Sequence, residues 1–184
     1  GLWPVPGAAA GRGWRAPEWS GPLGTGSDNV YRGISLTAGR PAWLADLHYD
    51  LGSEWVIGLG ASAEHLAGQS AGAQLTAYLD RRWQFNEDWV GKAGLVHYDS
   101  PWHAHSSYWR YDEINAAIGY RGQWTASVAL SPNRVSISGS RLGQRVPATW
   151  FEVTFHQPVT DRLSGDVGLG YADLDRVADL HYGY

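Results

Sequence analysis

The 184-residue chain contains no cysteine and no methionine. Without cysteine there is no disulfide framework, no thiol nucleophile and no thiolate ligand for a metal. Without methionine the initiator is gone, so Gly1 reads as a processed N-terminus and the chain as an exported form whose signal peptide has been removed. Lysine and arginine number 14 against 18 acidic residues, for a formal charge of −4. No basic run occurs, so nucleic acid is not an expected partner. No run of about 18 apolar residues occurs either, which excludes a membrane-spanning helix. A membrane-spanning barrel stays open, because its strands are short and apolar only at alternate positions. The phosphate loop and His-Glu-x-x-His are both missing, so no cofactor is expected.

Aromatic residues and glycine fill the space instead, with 11 Trp, 10 Tyr and 24 Gly. Glycine runs at nearly twice its usual share of about 7%. Residues 1–26 are dense in Gly, Pro and Ala and lack any hydrophobic period, which reads as a tail or linker. Its Trp3, Trp14 and Trp19 offer contacts to a protein partner.

Residues 27–184 read as one domain with apolar residues at every second position, the period that puts alternate side chains on opposite faces of a strand. Trp43, Ala45, Leu47, Tyr49 and Leu51 alternate with Asp46, His48 and Asp50. Trp55, Ile57 and Leu59 alternate with Gly58 and Gly60; Leu75, Ala77 and Leu79 with Thr76, Tyr78 and Asp80. The same pattern returns around Ile114–Tyr120, Phe151–Phe155 and Val167–Tyr171. Short polar breaks at Gly52–Glu54, Asn86–Asp88, Gly122–Gln123 and Thr160–Asp161 interleave with longer connections, including 99–105 and 132–148. This predicts an all-β fold: an up-and-down antiparallel transmembrane β-barrel of about ten strands, with about eight or twelve also compatible. Both termini fall at the short-turn, periplasmic rim.

Trp55, Trp89 and Trp124 each follow a tight turn, and Trp43, Trp83 and Trp150 lie near strand ends. A ring of Trp at one level is what a lipid–water interface requires, since the indole buries its rings and keeps its N–H near water. With the apolar face toward lipid, Asp46, His48, Asp80, Arg82, Glu113, Asn115, Arg121, Glu152, His156 and Asp166 line the lumen. In so narrow a barrel these groups pair into a plug or a wet constriction, and their acidic excess favours cations.

Two Asp-x-His pairs, Asp46/His48 and Asp179/His181, could orient a histidine base, as in omptin-like outer-membrane hydrolases. Both lie near the short-turn rim, whereas an omptin-like site opens at the long-loop rim, so the expected reading is not an enzyme. His103-Ala104-His105 lacks a third ligand, and no metal site is expected.

The segment Ser27-Asp28-Asn29-Val30-Tyr31-Arg32-Gly33-Ile34-Ser35-Leu36, followed by Pro41-Ala42, resembles the opening strand of the Gcw_chp conserved-hypothetical family of proteobacterial outer-membrane proteins. Tyr111-Asp112-Glu113-Ile114, leading to Gly119-Tyr120, and Ser131-Pro132-Asn133 are similar as well, so the likeness covers roughly residues 27–133. Asn29 and Leu36 depart from the pattern. The resemblance implies an outer-membrane β-barrel without an established activity and supplies no catalytic residues. Leu180, Tyr182 and Tyr184 alternate back from a terminal aromatic residue, resembling the signal that such barrels present to the barrel-assembly machinery.

The expected role is therefore a narrow passive passage for ions or small solutes in the bacterial outer membrane. Lipid and lipopolysaccharide surround it. The alternatives are a barrel anchor whose residues 1–26 hold a partner, and a hydrolase built on an Asp-x-His pair.

Overall fold

The computed structural model describes residues 18–52, 54–65, 71–102, 109–136, 143–160, 163–175 and 180–183. They form antiparallel β-sheet and turns, with no helix among the described residues. The strands in chain order are β1 (Glu18–Ser20), β2 (Leu23–Gly26), β3 (Val30–Tyr31), β4 (Ile34–Ser35), β5 (Ala42–Asp50), β6 (Trp55–Glu64), β7 (Gly72–Gln84), β8 (Trp89–Asp99), β9 (Tyr111–Tyr120), β10 (Trp124–Val135), β11 (Arg145–Thr160), β12 (Leu163–Asp175) and β13 (Leu180–Gly183).

The main sheet runs β1-β5-β6-β7-β8-β9-β10-β11-β12-β13, with β2 also on β5. Because β1 pairs with Asp50 to His48 and β2 with Ala45 to Ala42, the two act as one edge strand broken at Gly21-Pro22. The meander is thus ten strands wide. Its two edges are not hydrogen-bonded to each other among the described residues, so the sheet is open.

Two expectations change here. The tail does not extend to residue 26: the sheet begins at Glu18, and residues 1–17 lie outside the described residues. Nor is 27–36 the first strand. It folds into the β3-β4 hairpin, a separate two-stranded sheet. The cause is the Arg32-Gly33 dipeptide, with φ of 50° and 74°. Both residues at positive φ make the type I′ connection that reverses a hairpin in two residues. Arg121 and Gly122, with φ of 52° and 67°, are also at positive φ, in the three-residue connection that Gln123 completes between the paired Tyr120 and Trp124.

The hairpin lies on the concave side of the main sheet. Asn29 Nδ2 donates to Ala63 O on β6 at 2.9 Å, and Tyr182 Oη on β13 donates to Arg32 O at 3.1 Å. In a flat sheet at about 4.8 Å per strand, β6 and β13 would be roughly 34 Å apart. Residues 29 and 32 span at most about 11 Å. The sheet is therefore strongly curled around the hairpin.

Period two then sorts the side chains. The convex face carries Leu47, Ile57, Leu59, Leu95, Val128, Phe151, Val167 and Leu169, all exposed. The concave face buries Asp46, Gln74, Asp80, Glu113 and Ser131. Its glycines are where neighbouring side chains lie flat: a Cβ on Gly58 would stand 2.2 Å from the Tyr78 ring, and one on Gly94 would stand 2.0 Å from Asp80 Oδ1. A small apolar core of Ala129, Ala148, Trp150, Ala172 and Leu174, with Tyr182 against it, closes the concave side at the long-loop end.

Candidate functional site

Arg32, at the tip of the hairpin, is held from several strands. Its Nη1 and Nη2 donate to Glu113 Oε2 and Oε1 at 2.8 and 2.9 Å, a bidentate pair with a carboxylate only 2% exposed. The guanidinium stacks over Trp150 on β11 at 4.2 Å and over Tyr31 at 4.7 Å. Burial works against its charge, but Tyr31 and Glu113 outweigh it, and Arg32 is held above its ordinary pKa. Tyr31 Oη is 3.0 Å from Tyr98 Oη, and Tyr98 stacks on Tyr111 with centroids 4.6 Å apart. Burial pushes the Tyr31 phenol well up, so it stays protonated.

The base of the hairpin is pinned as firmly. Ser35 Oγ and Thr37 Oγ1 both donate to Asp28 Oδ1, at 2.7 and 2.5 Å, and these bonds lower the Asp28 pKa. His65 N donates to Leu36 O at 2.6 Å. A register shift in β10 between Ser131 and Arg134 turns Arg134 inward, over Tyr111 at 4.8 Å and Trp150 at 5.4 Å. Asn133, inside that irregularity, donates from Nδ2 to Asp112 Oδ2 at 2.7 Å and accepts from Asp112 N at 2.8 Å. The hairpin, the start of β9 and the irregularity in β10 thus meet at one place.

A second concave cluster lies toward the short turns. Asp46 accepts from Tyr78 Oη at 2.9 Å on both oxygens and pairs with His48 Nδ1 at 2.7 Å, while His48 Nε2 is 2.8 Å from Ser20 Oγ. Next to it, Asp80 pairs with Lys92, the chain's single lysine, at 3.3 Å. Asp80 Oδ1 is buried without a protein hydrogen-bond partner. Arg82, Asn115 and Glu152 are half-buried. Asp166 is exposed and pairs with His156 Nδ1 at 2.7 Å.

Most of the expected lumen residues therefore gather on the concave face, but Arg121 does not. It occupies the β9-β10 turn and pairs outward with Asp88 at 2.9 Å, which raises its pKa. Of the expected Trp ring, Trp55, Trp83, Trp89 and Trp124 lie beside the short turns, while Trp43 stands near the start of β5 at the opposite rim. Trp43, Trp55, Trp89 and Trp124 are exposed and Trp83 is half-buried, whereas Trp150 is 3% exposed and stacks on Arg32. Near the short turns the ring includes cross-strand pairs: Trp19 with Tyr49, Trp89 with Tyr120 and Trp124 with Phe155, at 4.7–4.8 Å between centroids. Arg81 lies over both Trp55 and Trp83 there.

Tyr182 reaches Arg32, and Leu180 lies in β13. Tyr184, Asp179 of the second Asp-x-His pair, and the 103–105 loop lie outside the described residues. No group of three or more metal-ligating side chains occurs among the described residues. Sequence reasoning missed Tyr31, Arg32, Tyr98 and Tyr111 as a cluster, together with Ser20. No protein-family model, curated protein or solved structure matches the chain.

Proposed function

We propose that the chain is an integral outer-membrane β-barrel of the kind its hairpin signature resembles, with a narrow, cation-preferring passage stopped at the long-loop rim by the 28–39 hairpin. The observation that carries this is the inverted sidedness of the sheet. Leu59 is 63% exposed and Leu169 74% exposed on the convex face, while Asp46, Asp80 and Glu113 are buried on the concave one. A water-soluble sheet buries the first set and exposes the second. A sheet whose convex face meets acyl chains needs the arrangement seen. Closure of the two edges on each other leaves no unpaired backbone in lipid, and the strong curl already bends the sheet that way.

Carboxylates on the concave face outnumber their cationic partners, and Asp80 Oδ1 has no protein donor. An acidic strip below a pinned hairpin supports a passage that conducts poorly while the hairpin is seated. In planar bilayers the purified protein is expected to give small, cation-selective steps above bare lipid, and Arg32→Ala is expected to enlarge them several-fold. Absence of conductance from both proteins would reject the passage and leave a lipid-embedded anchor.

A further inference from the structure

We propose that Ser20, His48 and Asp46 form a nucleophile, a general base and an orienting carboxylate able to cleave a carboxylic ester. The fold builds the set from two local rules. The i, i+2 spacing on β5 places Asp46 and His48 on the same face, and the register of β1 on β5 sets Ser20 opposite His48. Proton positions follow from the partners. Asp46, 3% exposed, accepts the Tyr78 hydroxyl's hydrogen bond on both oxygens and stands 2.7 Å from His48 Nδ1. A carboxylate only accepts, so Nδ1 carries the imidazole proton. With the ring neutral, the lone pair at Nε2 faces Ser20 Oγ, 2.8 Å away, and Ser20 donates. This is the connectivity a serine nucleophile needs.

Two other Asp–His pairs serve as internal comparisons. His97–Asp112 and His156–Asp166 have the same 2.7 Å contact. Neither has a serine hydroxyl on its far nitrogen among the described residues. Ser20 itself is exposed on the concave face beside the short-turn rim, so an ester carbonyl can approach Oγ from that mouth.

In the first step Oγ bonds to the carbonyl carbon and its proton passes to Nε2. The tetrahedral intermediate collapses, the C–O bond to the leaving alcohol breaks, and that oxygen takes the proton from Nε2. Water then adds to the acyl group and gives its proton to Nε2; the bond to Oγ breaks and Oγ recovers the proton. The net change is ester plus water to acid plus alcohol. The ester class is amphiphilic, a choice that rests on the membrane reading above: Trp19 and Leu51, exposed at the short-turn end of the convex face, put that rim at the lipid–water boundary, where such esters collect.

The test uses the full-length chain in detergent micelles and a soluble fluorophosphonate, from which Oγ displaces fluoride while His48 takes the proton. Expected is one adduct, mapped to Ser20, abolished by Ser20→Ala and slowed about a hundredfold by His48→Ala. Asp46→Asn should slow it similarly and Asp46→Glu should restore part of the rate, a rescue that a merely structural role would not give. The wild type should hydrolyse p-nitrophenyl esters, long-chain faster than short-chain, and Ser20→Ala should not. Ser20→Ala removes one atom from an exposed edge, so the test does not depend on whether the buried variants fold. No adduct at Ser20, or wild-type hydrolysis by Ser20→Ala, would overturn the proposal. Labelling at Ser20 with no preference for long chains would keep the nucleophile and count against the membrane reading alone.

Discussion

Arg32→Ala is expected to destabilise the folded chain by about 3–5 kcal/mol, the cost of leaving a buried carboxylate without its partner. Glu113 would lose both hydrogen bonds of its bidentate pair in a site where it is only 2% exposed. Trp150 and Tyr31 would lose the guanidinium stacked between them. The turn would lose the contact that holds a non-glycine residue at a φ of 50°. Urea unfolding in micelles, followed by Trp fluorescence, reads the change. Replacing both partners by apolar residues of similar volume should restore most of the loss, because the pair itself adds little net stability. Its role is to fix where the hairpin sits. Wild-type stability for Arg32→Ala would mean that the hairpin is not seated on Glu113.

The second large effect belongs to the convex face. Leu59 lies in the middle of β6 and is 63% exposed. Placed near the centre of a bilayer, Leu59→Arg should lower folding stability by about 2–4 kcal/mol; Leu51→Arg, beside a short turn, should cost only about 0–1 kcal/mol. In water an exposed Leu→Arg change stays within about 0.5 kcal/mol at either position. The measurement is the midpoint of refolding into liposomes across a denaturant series. Equal small effects at both positions would place the convex face in water.

Much of the sheet was legible because alternation is a local property: the Leu47 to Leu51 and Ile114 to Tyr120 patterns mark their faces whatever else the chain does. The ten-strand width was also legible, but with the wrong first member. Residues 18–26 carry no apolar alternation and pair with β5 through backbone groups, which leave no side-chain signature. The hairpin was hidden because its turn is Arg-Gly where Asn-Gly is the usual signal, and the positive φ of Arg32 is held by Glu113, 81 residues away.

Trp150 was misread for a related reason. Nearness to a strand end does not reveal which face a residue occupies, and β11 begins earlier, at Arg145, than the polar 132–148 stretch indicates. Arg121 was misread because the alternation of β9 was carried past Tyr120 into the turn. The Asp46-x-His48 half of the proposed catalytic set was visible in one strand. Its serine came from an edge strand 28 residues away that no pattern marked.

The central claim is that the convex face meets lipid, and the absence of native cysteine makes it directly accessible to labelling. Single cysteines at Ala126, Ser127, Val128 and Ala129 along β10, and at Leu59 and Leu79 as further convex sites, would each carry a nitroxide in protein reconstituted into liposomes. Lipid contact predicts that Ala126, Val128, Leu59 and Leu79 collide readily with oxygen and poorly with a water-soluble nickel chelate, with Ser127 and Ala129 breaking that pattern. Equal exposure to the nickel chelate at the convex sites would contradict it.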